Sequence, residues 1–194
     1  CFSNYDTCME KLHKIDKGYK GIYCVLESAL LNPNMVLHTV GSIMSIPRIE
    51  YSKGNFCMYR EAYARGNDST INLLMRLDEE KMKVLKSLGF FKTSVFEAGG
   101  FNMSDPIESL HRYSESSDRA ISPTSVHSRY ITEDVSEGLV LMESIALHIG
   151  LELPVTSSLI TLASVALGID FRKTGRTIQR LGIINEIDML HECR

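Results

Sequence analysis

The chain has 194 residues, of which 44% are hydrophobic and 23% charged, and its formal net charge is −3. This balance allows one compact core or two small ones, and it excludes the strongly basic surface that nucleic-acid binding requires. No apolar run approaches the roughly 20 residues of a membrane-spanning helix, so no membrane segment is expected. The five cysteines are scattered without a CxxC pair, which favours reduced thiols in a cytoplasmic protein over a disulfide framework or a zinc site.

The first 25 residues give only a weak structural signal. A helical pattern runs from Tyr5 to Ile15, and glycines interrupt the chain after it. The sequence begins at Cys1 with neither an initiator methionine nor a signal-peptide profile, which indicates a fragment or a processed piece. We therefore expect residues 1–25 to be a connector from a preceding part of a longer protein, and residues 26–194 to form the folded domain.

The first clear helix is predicted to begin at the Asn-Pro step of residues 32–33, because Asn is a good N-cap and Pro suits the first helical position. The helix should end before Pro47. His38 lies in its second turn, with Gly41 and Ser42 on the same face. These small neighbours leave room either for a ligand beside the imidazole or for another helix, with His38 as a core residue, and the sequence leaves both open.

The middle of the chain combines one strand signal with one long helix. The runs 49–51 and 56–59 flank a glycine-containing turn, which predicts a single small β-hairpin. A helix is then predicted from about residue 70 to residue 88, where Gly follows. Its charged pairs, such as Asp78 with Lys81, are expected on the solvated side of the helix.

The stretch Ser128–Val135 combines a guanidinium, a phenol, a hydroxyl and two carboxylates. It follows a mostly irregular segment, residues 98–128, which is serine-rich from residue 114 onwards and is interrupted by a short predicted helix around residues 106–113. A loop of this length is either mobile or part of a binding site, and we favour the second because it leads to Arg129. A helical apolar stripe begins where the stretch ends and closes at Gly150, so Asp134 is expected at the helix N-terminus, where the dipole favours a carboxylate. Arg129 should project into the same cleft. The alternative is a local salt bridge between Arg129 and Asp134 that caps the helix.

Two further helices are predicted near the C-terminus. One covers residues 155–167, with Leu159, Leu162 and Ala166 on its inner side, and a short amphipathic helix covers residues 174–182. The sequence contains no glycine-rich dinucleotide fingerprint, P-loop, zinc-protease or serine-hydrolase motif, so the chain alone shows no nucleotide site. These patterns together predict one compact and mostly helical unit.

Several short motifs occur in an order that is characteristic of a known family. They are Leu26-Glu27-Ser28, Asn32-Pro33 with His38, Arg48-Ile49-Glu50-Tyr51, Tyr59-Arg60-Glu61, Leu77-Asp78-Glu79-Glu80, Pro123-Thr124, the run Ser128–Val135, Pro154, and Gly175-Arg176-Thr177. In these residues the chain resembles the C-terminal, all-helical domain of the octopine/nopaline (opine) dehydrogenases. The resemblance extends from about residue 25 to about residue 190, and the run Ser128–Val135 downstream of the NPxxxxH motif is its most specific part.

The resemblance implies an all-α fold like the C-terminal domain of 6-phosphogluconate dehydrogenase, with at most one small β-hairpin. Enzymes of this family join such a domain to an N-terminal Rossmann domain and reductively condense an amino acid with a 2-keto acid. The cofactor, NAD or NADP, would be bound mainly by that N-terminal domain, which is absent from this chain. The chain alone is therefore expected to be inactive.

By the same resemblance, His38 matches the catalytic histidine, Asp134 the acid paired with it, and Arg129 the residue that holds the keto acid carboxylate. The residue types suit the chemistry. Imidazole, with a reference pKa of about 6.5, can both accept and deliver a proton near neutral pH. A carboxylate on its far nitrogen fixes the tautomer, and a guanidinium binds a carboxylate through two parallel N–H bonds. No metal ligands and no cofactor-binding residues are predicted in the chain.

Two other functions remain open from the sequence. The chain could be the helical domain of another two-domain dehydrogenase, although it lacks a recognisable phosphate-binding motif in the cleft. It could also be a non-catalytic helical module for association, and a homodimer is left open because helical domains of this kind often pair. The identity of the amino acid and the keto acid, and the choice between NADH and NADPH, are not encoded in recognisable residues.

Overall fold

The structure is a computed structural model that describes residues 4–19, 21–22, 24–119 and 121–192. Within these ranges every regular element is helical and no strand occurs, so the all-α prediction is confirmed. The elements are α1 (Tyr5–His13), α2 (Val25–Leu30), α3 (Asn34–Met44), α4 (Ile46–Ser52), α5 (Met58–Tyr63), α6 (Asp68–Ser87), α7 (Val95–Ala98), α8 (Pro106–Glu115), α9 (Arg129–Glu133), a π-helical segment (Asp134–Leu139), α10 (Val140–His148), α11 (Pro154–Leu167), α12 (Phe171–Thr174), α13 (Ile178–Leu181) and α14 (Ile184–Glu192).

Helix α3 lies at the centre of the domain. Every residue from Met35 to Ile43 is buried, and α5, α6, α9, α11 and the π-helical segment all pack against the helix. A helix that is apolar on nearly all sides is stable only when other elements surround it. The few polar side chains of α3, among them His38, therefore lie in the interior, where a polar group needs a hydrogen-bond partner.

The chain returns to α3 as one continuous helical run from Arg129 to His148, made of α9, the π-helical segment and α10. The prediction that this helix begins at Val135 is wrong, because Ser128 is the N-cap and Asp134 lies in the second turn. The apolar stripe continues one turn further upstream, to Ile131, which is fully buried. This extra buried position explains why the helix starts earlier than predicted.

The predicted β-hairpin is also wrong. The run 49–51 lies in α4, and of the run 56–59 only Met58 and Tyr59 are helical, at the start of α5. The turn between the runs is real, since Lys53 and Gly54 have positive φ values of 53° and 81°. A Cβ on Gly54 would lie 2.8 Å from the carbonyl oxygen of Ser122, so the returning chain occupies the space beside the turn. The backbone N–H of Ser122 donates to the carbonyl of Phe56, and this loop contact replaces the strand pairing that was expected.

Asp78 and Lys81 of α6 are buried rather than solvated, so the prediction for this pair is wrong, while Glu79 and Lys83 do lie towards the solvent. The side chains of Asp78 and Lys81 are each 1% exposed, and Lys81 Nζ lies 2.7 Å from Asp78 Oδ1. Asp78 also accepts a hydrogen bond from the backbone N–H of Val95 at the start of α7. Helix N-termini carry unpaired N–H groups, and the carboxylates of α6 supply the acceptors that those groups need.

The C-terminal helices differ from the predicted pattern in two respects. Of the residues expected on the inner side of α11, Leu159 is 1% exposed but Leu162 is 55% exposed, because the buried face runs through Thr156, Leu159, Ile160 and Ala163 instead. Of the predicted helix over 174–182, only Thr174, the last residue of α12, and α13 (Ile178–Leu181) are helical. The N–H of Arg176 donates to the carbonyl of Ser136, which draws the chain out of the helical conformation between them.

No single helix in the described part of the chain is long and apolar enough to cross a membrane. The segments Pro154–Leu167 and Phe171–Leu181 reach the required length and hydropathy only when they are taken together, across a bend of 100°.

Candidate active site

His38 is placed in the interior by the central helix and is paired there with Asp134. The His38 side chain is 6% exposed and that of Asp134 is 14% exposed. His38 Nδ1 and Asp134 Oδ2 lie 2.8 Å apart, although 96 residues separate them in the chain. An ionised carboxylate is only an acceptor, so Nδ1–H donates and the proton-exchanging position of the neutral ring is Nε2.

Two tyrosines enclose the imidazole ring. The ring of Tyr130 stacks on it in parallel, with the centroids 3.8 Å apart and the planes 8° from coplanar. The ring of Tyr59 approaches at 6.1 Å with an interplanar angle of 71°. His38 Nε2 makes no hydrogen bond within the described residues, so this nitrogen is the one available for a substrate.

The π-helical segment positions Asp134 against α3. Its wider turn begins at Asp134 itself, and π-helical turns inside α-helices are frequent at functional sites. Gly138, one turn further on, packs against Met35 of α3, and a Cβ at this position would lie 2.7 Å from Met35 Cγ. The segment therefore approaches α3 closely enough for the carboxylate to reach the imidazole.

Tyr59 belongs to a network of phenols that extends away from His38. Its ring contacts that of Tyr113 at a centroid distance of 5.4 Å, and the guanidinium of Arg119 lies 4.1 Å from the Tyr113 ring centroid. Burial raises the pKa of Tyr59 well above that of a free phenol, and the neighbouring Tyr113 and Tyr130 raise it further. Tyr59 is therefore a neutral phenol at physiological pH and adds no charge beside His38.

The serine-rich segment is fixed to the helix that carries Tyr59. Ser122 is buried, its hydroxyl donates to the carbonyl of Phe56 at 3.0 Å, and it accepts from the N–H of Met58 at 2.6 Å. Because Met58 begins α5, this anchor connects the loop to the N-terminus of the helix one residue before Tyr59. The loop thus supports one wall of the His38 environment.

Arg129 lies at the start of α9, next to Tyr130, and is exposed. Its guanidinium forms no ion pair with the residues that the structure describes, while Asp134 is bonded to His38. The alternative of a capping salt bridge between Arg129 and Asp134 is therefore wrong. The structure brings His38 and Asp134 together, whereas Arg129 is exposed without an ion pair among the described residues and does not line the pocket next to Asp134.

A pocket of about 390 Å³ opens next to Asp134 on the side of α2. Its polar lining includes Ser28, Asn32, Glu133, Asp134 and the ion pair between Arg176 and Glu137. The pocket is large enough for a small organic molecule and presents both charge signs to it. The Gly175-Arg176-Thr177 motif thus contributes a side chain to the surroundings of Asp134, which the sequence alone did not indicate.

The described residues contain no group of three or more His, Cys, Asp or Glu side chains that could hold a metal ion. Of the five cysteines, Cys8, Cys24 and Cys57 are free thiols in the structure, and Cys1 and Cys193 lie outside the described residues. A pyrophosphate cradle needs a strand followed by a glycine-rich turn and a helix, and no strand occurs in the described ranges.

Sequence reasoning did not assign roles to Tyr59 and Tyr130, although both lie in quoted motifs. For Tyr130 a signal existed: it precedes Asp134 by four residues, a spacing that places both side chains on one face of a helix. The signal was missed because the helix was predicted to start after them. The role of Tyr59 depends on a contact between α5 and α3 that no local pattern predicts.

Comparison with known proteins shows to which family the chain belongs. A family model described as NAD/NADP octopine/nopaline dehydrogenase, alpha-helical domain, matches residues 23–167. The opine dehydrogenase of Arthrobacter sp. (strain 1C) is 26% identical over 178 residues, which are 90% of this chain and 48% of that protein. Vitopine synthase of Allorhizobium ampelinum is 27% identical over 159 residues, and the protein ocs of Agrobacterium vitis 28% over 159, in both cases 78% of this chain and 42% of the relative.

The chain thus spans about half the length of the curated relatives it matches. The matched family model, in contrast, covers most of the chain and includes both His38 and Asp134. The chain therefore belongs to the octopine/nopaline dehydrogenase family, as its α-helical domain.

Proposed function

We propose that this chain is the substrate-binding and acid–base domain of an opine-type dehydrogenase, an enzyme that reductively condenses an amino acid with a 2-keto acid. The observation that carries the proposal is the buried pair in which Asp134 holds the Nδ1 side of His38 at 2.8 Å and leaves Nε2 without a partner. A histidine held in this way by a carboxylate is an arrangement that general acid–base catalysis commonly uses. Membership of the dehydrogenase family supports the same function.

The condensation has two proton transfers that His38 can perform. Its neutral Nε2 accepts a proton from the ammonium group of the amino acid, and the free amine then adds to the keto carbon to give a carbinolamine. The same proton, returned to the carbinolamine hydroxyl, allows water to leave and an iminium ion to form. Asp134 stabilises the imidazolium between these steps and keeps the ring in one tautomer.

Arg129 is proposed to hold the carboxylate of the keto acid. Its guanidinium is exposed and unpaired within the described residues, and it is adjacent in sequence to Tyr130, whose ring lies on His38. Two parallel N–H bonds to a carboxylate would orient the neighbouring carbonyl carbon with respect to Nε2. A lysine could neutralise the same charge but not fix this orientation.

The reducing equivalent would come from NADH or NADPH, which would supply a hydride to the iminium carbon. Because the described residues form no dinucleotide cradle, we propose that the cofactor is held by an N-terminal Rossmann domain of the same protein. The protein is proposed to act in the cytoplasm. The part of the chain described here then provides the substrate contacts and the proton transfers, and the N-terminal domain provides the cofactor.

The test compares two histidines in the full-length protein that contains this chain. His38→Asn should abolish the oxidation of NADH or NADPH that depends on an amino acid and a 2-keto acid, followed by absorbance over a panel of substrate pairs. His148→Asn is the matched control, because His148 also pairs with an aspartate, Asp188, at 2.6 Å, but with side chains that are 28% and 47% exposed. Near-normal turnover in the His38→Asn protein would reject the proposed function.

A further inference from the structure

We propose that Tyr130 is a positioning residue, which holds the plane of the His38 ring in the orientation that the proton transfers need. This inference rests on the proposed function, since it assigns a task to Tyr130 within the same site. The supporting contact is the parallel stack of the two rings, at a centroid distance of 3.8 Å and an angle of 8°.

The hydrogen bond to Asp134 does not by itself determine where His38 Nε2 points. A bond at Nδ1 fixes one atom of the ring, and the ring can still tilt about that atom by rotation of the side chain. A flat surface in contact with one whole face of the imidazole removes this freedom. Tyr59 approaches the ring from an angle of 71° and limits its movement on another side. The direction of Nε2 is therefore set by three contacts, of which the Tyr130 stack covers the largest part of the ring.

Tyr130 and Asp134 reach the ring from consecutive turns of one helical run. They are four residues apart, and Asp134 is the first residue of the π-helical segment that follows α9. Residues four apart face the same side of a helix, so a single element delivers both the carboxylate and the aromatic plane to α3. A helix that moved as a rigid body would carry the two contacts together, which keeps their relative geometry constant.

The stack also suits the charged state of the ring. The face of a phenol is electron-rich, and it attracts a cation that lies above it within about 6 Å. Tyr130 therefore favours the imidazolium form that His38 adopts after it accepts the substrate proton. Burial raises the pKa of Tyr59, so Tyr59 stays a neutral phenol and does not form a second anion beside the imidazolium.

The inference predicts an effect on turnover rather than on substrate affinity. A tilted ring still leaves the carboxylate contact of the substrate intact, while Nε2 is displaced from the reacting amine and hydroxyl. In Tyr130→Met the phenol ring is replaced by a flexible side chain that has no flat aromatic face. This change should lower kcat roughly tenfold. The KM for the keto acid should change little, because its binding does not involve the phenol ring. Tyr130→Phe keeps the aromatic plane and should keep kcat.

The experiment combines kinetics with NMR on the full-length protein. Histidine is labelled with carbon-13 at Cε1, and the His38 signal among the six histidines of the chain is identified by its loss in His38→Asn. A ring current from a stacked phenol shifts the His38 ring protons upfield in the wild type and in Tyr130→Phe, and this shift should vanish in Tyr130→Met. Tyr51→Met is the control for the loss of a tyrosine, since Tyr51 is 87% exposed on α4.

The outcomes separate this inference from the proposed function. If Tyr130→Met keeps the wild-type kcat while His38→Asn abolishes turnover, the stack is only packing and the proposed function stands. If His38→Asn retains turnover, the proposed function itself fails. Should Tyr130→Met not fold, the wild-type spectrum still decides, because a His38 signal without an upfield shift means that the stack does not exist in solution.

Discussion

Gly138 and Met35 are packed so closely that a Cβ on the glycine would lie 2.7 Å from Met35 Cγ and 3.1 Å from its Sδ. Real Cβ atoms do not approach other atoms so closely, so either the Met35 side chain would have to change its rotamer or one of the two helices would have to move. Gly138 belongs to the π-helical segment that begins at Asp134, and Met35 lies one turn before His38 on α3. This contact therefore sets how near the carboxylate can come to the imidazole.

Gly138→Ala should weaken both the fold and the catalytic pair. Extra volume in a packed core destabilises a protein by about 1 to 3 kcal/mol, although helix propensity alone would favour Ala over Gly by about 1 kcal/mol. A net loss of stability in urea unfolding would thus show that the close contact dominates. A displacement of Asp134 from His38 should in addition lower kcat by up to about 10²-fold.

Met35→Ala provides the complementary test of the same contact. On its own it leaves a cavity, but combined with Gly138→Ala it removes the atoms that the new methyl group meets first. The double variant should therefore lose less stability than the sum of the losses of the two single variants. Its kcat should also be higher than that of Gly138→Ala alone. Strictly additive losses would mean that the contact does not control the site.

Arg129 should matter for the keto acid more than for turnover. Loss of two charge-assisted hydrogen bonds to a carboxylate predicts that Arg129→Ala raises the KM for the keto acid roughly 10- to 100-fold. Arg129→Lys should recover only part of this loss, because an ammonium cannot form the parallel pair of bonds. The measurement is a KM series for each substrate in turn, with Arg76→Ala as the control on an exposed arginine of α6 that pairs with Glu79. An equal change in the KM of the amino acid would contradict the assignment.

Glu80 holds the N-terminus of α11 in place, which makes it a structural residue rather than a surface charge. Its carboxylate accepts from the backbone N–H groups of Val155 and Thr156 at 2.9 and 2.8 Å and from the hydroxyl of Thr156 at 2.7 Å. Glu80→Gln keeps the shape of the side chain, but its amide NH2 group is itself a donor and cannot accept these hydrogen bonds. The substitution also removes the negative charge at the N-terminus of α11, where the helix dipole is positive. We expect a loss of about 1 to 3 kcal/mol in the free energy of unfolding.

The neighbouring residue offers a matched control. Glu79 is 41% exposed and pairs only with Arg76 on the surface of α6. Exposed pairs of this kind contribute little, so Glu79→Gln should change the free energy of unfolding by less than about 1 kcal/mol. Equal losses for Glu79→Gln and Glu80→Gln in urea unfolding would show that the buried cap does not stabilise α11.

Local signals in the sequence were sufficient for much of the fold. The start of α3, the length of α6 and the glycine that ends α11 follow from capping and turn chemistry that involves only neighbouring residues. The same signals could not distinguish Glu80 from Glu79, because burial of Glu80 depends on α11, more than seventy residues away in the chain. The buried pair of Asp78 with Lys81 was assigned to the solvent for the same reason.

In the candidate site, too, the sequence identified the residues but not the contacts between them. His38 and Asp134 were selected from motifs, and neither composition nor periodicity could show that they lie within hydrogen-bond distance. The π-helical segment was not predicted, since an α-helix and a π-helix differ by one residue per turn and share the same apolar stripe. The stack of Tyr130 on His38 requires that the helix begins at Arg129 and that α9 packs on α3. Neither property could be predicted from the local sequence.

Glu143 is predicted to make the stability of the domain depend on pH. Its side chain is 6% exposed and receives two hydrogen bonds from Arg172, at 2.7 and 2.8 Å, and one from Ser157. Burial raises the pKa of Glu143, but the bonds from Arg172 and Ser157 outweigh it and hold the pKa below the usual value of a glutamate. The unfolded chain therefore binds a proton more readily than the native protein does.

The sign of the effect follows from this difference. A carboxyl group whose pKa is lowered by folding stabilises the native state fully above its unfolded pKa of about 4.3, and the contribution is lost as the pH falls through the folded pKa. Glu143→Gln should thus lose about 1 to 3 kcal/mol at pH 7, and the gap to the wild type should narrow below about pH 4.3. Urea unfolding at several pH values measures the gap, and Glu152→Gln, an exposed position before α11, is the control. A gap that stays constant down to pH 3 would mean that the Glu143 carboxylate is not held by Arg172 in solution.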